Sequence, residues 1–584
     1  MGVQLFKSSG TELEVSHERT ERLYVKLGVC GLLGLTLLIA LIWSGHRGYV
    51  WWQEKQLVRS AVRALQQGDD ATAGLALRAV LQLKPSSILA ARLLAELAEK
   101  SGDRSAPDWR RKVVDLEPNS VEDVLAWARS AVQFGDLSTA ARAINMIDEK
   151  GRQRADYHAA TALLAQAGHD DELADSEWAK AIALDPEETG YQLHLGILRT
   201  RANDLERHNS GKAMLDLLRS DPKQRAAATR TLINDGVSRR DSARQLLELA
   251  RELQAYPEAT FSDHLLYLHF LHQIDDQEFT RYLTDLENRV ATRPVDLGAL
   301  INWMSENNLN LLALDFAKSL PPESLHSWPV PAALAEIYTQ LKDWTKLEDT
   351  AKARSWEQFD FLRRAYLTRA LRAQDKSAAA EREWAEAVKI ASGQSGSLFS
   401  LARLASEWNW DKEALDLLWV LSKNAETQTE ALSTLYSCYT KLKDAQGLYR
   451  VLVRWAELAP DDLNIQNNFA QISLVLGVNP NKARDIAAAV YRREPSNPAY
   501  AATYAYSLLT NGKSEEAVKV MNSLTDEQLR DPGIRAYYGI CLAAVHDDKA
   551  RQFLEVGKQS TFLPEEKRLI EKALASLGAE RVRK

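Results

Sequence analysis

Residues 157–186, YHAATALLAQAGHDDELADSEWAKAIALDP, decide the fold because they contain one complete helix-turn-helix unit. The first half is rich in alanine and leucine and ends at a glycine, which commonly terminates a helix. In the second half, Ala174, Trp178 and Ala181 are four and three residues apart, so they share one face of a helix. Pro186 ends that helix, since proline disfavours the α conformation of the residue before it.

The same pattern returns along the chain at a spacing near 34 residues. Its alanine and tryptophan reappear as Ala380 and Trp384. Pro85 and Pro118 are 33 residues apart, and Pro118 and Pro186 are 68 apart, which is twice 34. In this period, in its Gly-Asp turns and in its terminal prolines, the chain resembles the tetratricopeptide repeat family. The resemblance implies an α-solenoid whose first helices line a concave groove that binds peptides or extended segments of other proteins, and it implies no enzymatic activity.

The repeats are predicted to fill the chain from residue 50 onward, and their consensus is weakest between residues 200 and 331. Residues 319–331, SLPPESLHSWPVP, contain four prolines and cannot form one continuous helix. They divide the predicted solenoid into an N-terminal part, 50–320, and a C-terminal part, 332–584. The last helix begins at Pro564 and is typical of a polar-faced cap. Because no segment alternates like a β-strand, we expect an all-α fold.

Residues 27–45, LGVCGLLGLTLLIALIWSG, contain no ionisable side chain other than Cys30. At about 1.5 Å per residue, a helix of this length spans roughly 28 Å, close to the thickness of the bilayer hydrocarbon. Trp51 and Trp52 follow and are typical of an interfacial aromatic belt. The sequence therefore predicts a polar tail at residues 1–26 and a single transmembrane helix at residues 27–45.

A cleaved signal peptide and a buried core helix are the alternatives for this segment. A signal peptide has a short basic start and small residues three apart before the cleavage site. Here four glutamates precede the span, and Leu38, Ile42 and Trp43 occupy the places of the second small residue. We therefore expect an uncleaved single-pass anchor, in the bacterial inner membrane. Basic residues flank both ends, so the positive-inside rule does not assign the side on which the solenoid lies.

Composition argues against nucleic acid as a partner. The chain has 73 basic and 80 acidic residues, a net charge of −7, whereas phosphate binding needs a basic excess. Cys30, Cys438 and Cys541 lie far apart and form no C-x-x-C motif, so neither a disulfide framework nor a zinc ribbon is indicated.

Catalytic and cofactor motifs are absent from the sequence. It contains no Gly-rich phosphate loop, H-E-x-x-H or G-x-S-x-G, and we expect neither an enzyme nor a bound cofactor. His264, His269 and His272, followed by Asp275 and Asp276, are the one cluster to weigh as a metal site. No pair has the i, i+4 spacing of helical zinc motifs, which favours structural or surface histidines.

The tryptophans have two interpretations, core packing and ligand contact. Trp178 and Trp384 stand where the repeat needs a large residue between helices, which favours packing. Trp408 and Trp410 lie at a helix-turn junction, where an exposed tryptophan would be a partner contact.

A partner-binding face is predicted in the C-terminal half. Aligning repeats by their second-helix alanines places Arg369 and Arg403 at equivalent positions, each one residue beyond an inward-packing site. Lys441 and Asn468 fall on the same side in the next repeats. These four residues predict a locally basic groove that holds the backbone or carboxylate of an extended segment. The alternative is that they are solvated polar residues on an exposed face.

Together these features predict a membrane-anchored scaffold or adaptor that binds peptides or protein segments, with the lipid bilayer as its other contact. The alternative is an accessory or regulatory subunit of a bacterial envelope biosynthesis, polysaccharide-export or secretion complex. Both rest on analogy of architecture.

Overall fold

The structure, a computed structural model, describes residues 51–557 and 561–581, and within these ranges every regular element is a helix. The helices of the first half are α1 (residues 51–66), α2 (Asp70–Leu83), α3 (Ile88–Ser101), α4 (Ala106–Leu116), α5 (Val121–Gln133), α6 (Leu137–Asn145), α7 (Ala155–Ala167), α8 (Asp171–Leu184), α9 (Thr189–Thr200), α10 (Leu205–Leu218), α11 (Arg225–Arg239), α12 (Ala243–Gln254), α13 (Phe261–Gln273) and α14 (Phe279–Val290). Those of the second half are α15 (Pro294–Glu306), α16 (Asn310–Lys318), α17 (Pro322–His326), α18 (Val330–Gln340), α19 (Trp344–Ala353), α20 (Asp360–Ala373), α21 (Ser377–Ala391), α22 (Ser395–Glu407), α23 (Asp411–Leu421), α24 (Gln428–Leu442), α25 (Ala445–Leu458), α26 (Leu463–Leu476), α27 (Pro480–Arg493), α28 (Pro498–Leu509), α29 (Ser514–Met521), α30 (Pro532–Ala544), α31 (Ala550–Gly557) and α32 (Pro564–Arg581).

Apart from α17 and α32, the described helices form consecutive pairs, which confirms the predicted all-α, repeat-like architecture. Successive first helices begin 30 to 36 residues apart, at Ile88, Val121, Ala155, Thr189, Arg225, Phe261, Pro294, Val330, Asp360, Ser395, Gln428, Leu463, Pro498 and Pro532. The period persists between residues 200 and 331, where the sequence signal is weak. There, second helices bury leucines such as Leu215, Leu247 and Leu286.

The turn inside each pair explains the Gly-Asp signature. Gly68 has a φ of 75°, in the left-handed region that ends a helix, and the next residue caps the following helix. Asp69 accepts a hydrogen bond from the backbone N–H of Thr72 at 3.0 Å. Some later turns keep this geometry with another residue at the left-handed position, since His169 and Lys443 also have positive φ and each precedes a capping aspartate.

The chain divides into two compact units between Leu283 and Thr284, inside α14. The proline-rich residues 319–331 lie in the second unit, where they contain α17 and the start of α18. They do interrupt the helical path, as predicted. The division of the solenoid into 50–320 and 332–584 stays a prediction.

Ion pairs between neighbouring pairs of helices recur in the first unit. The Arg92 guanidinium contacts the buried Asp123 carboxylate at 2.6 Å, and Arg230 contacts Asp263 at 2.7 Å. In both cases the partners lie about one repeat apart. The hydrogen bond from Arg92 lowers the pKa of the Asp123 carboxyl, so this contact stabilises the folded first unit at neutral pH.

Among the helices that the structure describes, none is both long and apolar enough to cross a bilayer. The predicted polar tail at residues 1–26 and the predicted transmembrane helix at residues 27–45 lie outside the described residues.

Candidate protein-binding groove

Two adjoining cavities in the second unit lie along its first helices. Their volumes are about 450 and 420 Å³, and both are lined by Arg403 and Glu407 of α22. We call them together the inner groove. The rest of its lining comes mostly from α15, α18, α20 and α24 and comprises Asn302, Ser305, Glu306, Trp328, Pro329, Ala332, Ala333, Glu336, Gln340, Leu362, Tyr366, Phe399, Ser400, Ala402, Leu404, Ser406, Leu418, Glu430, Thr434 and Cys438.

Apolar side chains make up much of this lining. Leu404 and Tyr366 are buried where their helices pack together, and Leu362 and Phe399 are partly buried beside them. Helical spacing produces this arrangement, because Leu362 and Tyr366 are four residues apart on one face of α20. The groove therefore offers apolar surface to the aliphatic or aromatic side chains of a bound segment.

Carboxylates dominate the charge of the inner groove. Glu306, Glu336, Glu407 and Glu430 come from four different first helices, and Arg403 is the one basic residue in the lining of these two cavities. Arg403 itself pairs with Glu407 at 3.0 Å. The lining of these two cavities is therefore mainly acidic, and the basic groove expected at Arg369, Arg403, Lys441 and Asn468 stays a prediction. The repeat alignment followed basic residues along the first helices and missed acidic residues at non-equivalent positions.

Tyr366 fixes one of these carboxylates. Its phenolic O–H donates to Oε2 of Glu336 at 3.1 Å. Burial, reinforced by the charge of Glu336, raises the pKa of Tyr366, so the phenol stays protonated and keeps donating. Glu306 and Glu430 are exposed and have no ion-pair partner among the described residues, so both can meet an incoming cation.

The structure separates the four residues that the sequence placed on one face. Arg403 lines the inner groove. Asn468 lines a third cavity, of about 200 Å³, and its Nδ2 donates to the hydroxyl of Tyr436 at 3.4 Å. Lys441 is exposed near the end of α24 and lines none of these three cavities.

Arg369 packs among tryptophans. Its guanidinium lies 5.9, 5.1 and 5.8 Å from the ring centres of Trp344, Trp408 and Trp410. The Nε atom is buried without a hydrogen-bond partner in the described structure, and burial lowers the pKa of Arg369. Because it lies one residue beyond an inward-packing site, the Arg369 side chain points toward tryptophan rings of adjacent repeats. Arg369 lines none of the three cavities.

The other tryptophans differ in burial. Trp178 is 1% exposed and stacks on His194, with ring centres 4.8 Å apart. Trp384 is only half-buried and meets Trp410 edge-on at 5.6 Å. Trp408 is buried, whereas Trp410 is half-buried. Of the two tryptophans at this junction, Trp410 is therefore the one that can contact a ligand.

The histidine cluster of the first unit packs against aromatic rings. Nδ1 of His264 lies 2.8 Å from the hydroxyl of Tyr282. His269 contacts Phe270, with ring centres 5.5 Å apart, and His272 lies 5.0 Å from Phe279. The described residues contain no group of three or more potential ligands arranged to hold a metal ion.

Comparisons with known proteins identify no family. No protein-family model matches the chain, and no curated protein matches it. Solved structures that align with it include MamA from Desulfovibrio magneticus, at 20% identity over 29% of this chain and 97% of that one, with a TM-score of 0.26. A tetratricopeptide repeat protein from Parabacteroides merdae aligns at 12% identity over 42% and 96%, with a TM-score of 0.32. Yeast Tom70 aligns at 11% identity over 91% and 96%, with a TM-score of 0.25.

Proposed function

We propose that this chain is a scaffold whose inner groove binds a cationic segment of another protein. The observation that carries the proposal is the set of four carboxylates, Glu306, Glu336, Glu407 and Glu430, placed along an apolar lining by four first helices. A segment that carries lysine or arginine beside aliphatic residues satisfies both features at once.

The dimensions of the groove suit side chains of a segment better than a whole small-molecule substrate. Each cavity lies at the lower end of the range for ligand pockets, and the two meet at Arg403 and Glu407. An arginine of the partner can compete with Arg403 for the Glu407 carboxylate. Arg403 therefore opposes a cationic partner, in contrast to its expected role as a binding residue.

The predicted helix at residues 27–45 would tether this scaffold to a membrane. Its length and its lack of charged residues support that part of the proposal. Detergent extraction separates the two roles considered for a tethered scaffold. Exchangeable clients indicate an adaptor, whereas a stoichiometric membrane complex indicates an accessory subunit of envelope biosynthesis, export or secretion machinery.

The groove is tested with a fluorescent peptide of about twelve alternating lysines and leucines, long enough to cross both cavities. We expect the double variant Glu306→Gln, Glu430→Gln to bind it about tenfold more weakly than the wild type, since two unpaired carboxylates are lost. Binding should also weaken as salt is raised. Arg403→Glu should bind more tightly, because it removes the opposing cation.

The matched control changes two exposed glutamates on second helices of the same unit, Glu381→Gln in α21 and Glu457→Gln in α25. It alters net charge by the same amount and should leave affinity unchanged. If both double variants bind the peptide equally weakly, net charge alone explains the loss of affinity, and the inner groove is not the binding site. Loss of binding in Arg403→Glu would contradict the opposing role assigned to Arg403.

A further inference from the structure

The C-terminal segment reaches farther back than a terminal cap does. α32 packs against α30 and α31 and also contacts α26, which lies two helix pairs before α30. The residues just before α32 extend farther, since Phe562 and Leu563 line the third cavity with Tyr436 of α24 and Leu448 of α25. In a solenoid each repeat contacts its neighbours, so a plain cap would cover the last pair alone.

A carboxylate anchors this segment to the first helices. Oε1 of Glu566 accepts hydrogen bonds from the hydroxyl of Tyr537 at 2.7 Å and from Nε2 of Gln471 at 3.3 Å. The other oxygen accepts the backbone N–H of Leu563 at 3.1 Å, which caps the start of α32. Burial, together with the charge of Glu566, raises the pKa of Tyr537, so its hydroxyl keeps its proton.

Apolar contacts hold the same segment on both sides of the anchor. Phe562 is 5% exposed and Ile570 is 3% exposed, and both belong to the core of the last repeats. Leu563 packs against the core of the preceding repeats. A cavity of about 200 Å³, lined in part by Tyr436, Asn468 and Leu563, remains beside the segment, so the segment does not fill the face on which it lies.

We infer that the face formed by α24, α26 and α30 is a second segment-binding site, occupied here by the chain's own residues 562–570. Its external ligand is a protein segment of the same chemistry, an aromatic and an aliphatic residue in succession followed three residues later by a carboxylate. Such a segment replaces Phe562, Leu563 and Glu566 in their contacts. The unfilled cavity admits a side chain larger than those of the internal segment.

The test uses the full chain and a labelled synthetic peptide of residues 561–577. In the double variant Phe562→Ala, Glu566→Ala the internal segment has lost its two anchors, so we expect the peptide to bind at least about tenfold more tightly than to the wild type. Backbone hydrogen exchange in α26 and α30 should rise in the variant and fall again when the peptide is added.

A matched control changes the two exposed neighbours, Lys567→Ala and Arg568→Ala, and should behave like the wild type. Adding Gln471→Leu to the Phe562→Ala, Glu566→Ala variant should weaken its binding of the peptide, because one hydrogen-bond donor to the Glu566 carboxylate of the peptide is lost. If the Phe562→Ala, Glu566→Ala variant does not bind the peptide, α32 is a fixed part of the fold that is not replaced by another segment. Exchange that rises throughout the second unit and is not reversed by the peptide would show that the segment is part of the core. Either result overturns the inference, and neither bears on the inner groove, which is tested separately with the lysine-leucine peptide.

Discussion

Trp178 and Trp384 occupy equivalent positions in their repeats but differ in burial, so their truncations should differ in free energy. Trp178 is almost completely enclosed, whereas Trp384 is half-buried. We expect Trp178→Ala to destabilise its unit by about 3 to 5 kcal/mol, as emptying a large aromatic site does. Trp384→Ala should lose only about 1 to 3 kcal/mol. Denaturant unfolding measures both free energies.

Backbone hydrogen exchange shows which helices each substitution destabilises. The faster exchange should stay within the substituted repeat and its neighbours, because solenoid stability is close to a sum of nearest-neighbour terms. Uniform acceleration over the whole chain, or equal losses from the two variants, would contradict this account.

Asp360 should make the stability of the second unit sensitive to acid. Its carboxylate accepts two hydrogen bonds from Arg363, at 2.5 and 2.9 Å, and one from the backbone N–H of Trp356 at 3.2 Å. These contacts, with that to Arg363 the largest, lower the pKa of Asp360 from 3.8 to about 2. A lowered pKa contributes stability that is fully present above about pH 4 and is lost as the pH falls toward 2.

The variant Asp360→Asn removes this contribution at neutral pH. We expect it to lose about 1 kcal/mol after allowance for solvent screening, and its unfolding free energy should depend less on pH between about 4 and 2. Urea unfolding over this pH range measures the difference, with Asp375→Asn, in the turn that follows α20, as the control. Parallel pH profiles for the wild type and Asp360→Asn would refute the assignment.

At the scale of elements, α9 and α10 approach so closely that glycine is required. A Cβ atom on Gly211 would lie 2.8 Å from the carbonyl oxygen of Gly196 and 2.8 Å from the backbone N of Thr200, and neither backbone atom can move freely. We expect Gly211→Ala to destabilise the first unit by about 1 to 3 kcal/mol despite the better helix propensity of alanine.

Gly74 of α2 is the matched control, because a Cβ there would meet only a leucine side-chain atom at 3.4 Å. Gly74→Ala should be neutral or stabilise by up to about 1 kcal/mol. Thermal melts of the two variants compare them directly. Stabilisation by both would mean that α9 and α10 are not in close contact.

The elements also show what the sequence can predict. Helix pairs follow from local signals, such as the left-handed Gly68 and the capping Asp69, and the period could be predicted for that reason. The lining of the inner groove depends on which residues of separate helices meet. Glu306 and Glu430 lie 124 positions apart and share no motif, and the contact between Gln471 and Glu566 spans 95 positions. A repeat alignment carries no information on either.

At the scale of the whole molecule, membrane attachment should depend on residues 27–45 alone. Within each unit the described helix pairs pack on one another, so neither unit needs this segment for its core. We expect the full chain to stay in the membrane fraction through alkaline and high-salt washing, since a span of about 19 apolar residues inserts stably. A variant without residues 1–50 should move to the supernatant and keep a helical circular dichroism spectrum.

A double substitution tests whether insertion itself is responsible. Leu37→Lys with Leu38→Lys places two charges near the centre of the span, and each opposes insertion by about 3 kcal/mol. We expect this variant to be released by alkaline washing. The matched control, Leu5→Lys with Leu23→Lys, adds the same charge to the polar tail and should stay bound. A mature chain that begins near His46 would instead identify a cleaved signal peptide, and retention of the Leu37→Lys, Leu38→Lys variant would place the attachment in the helix pairs.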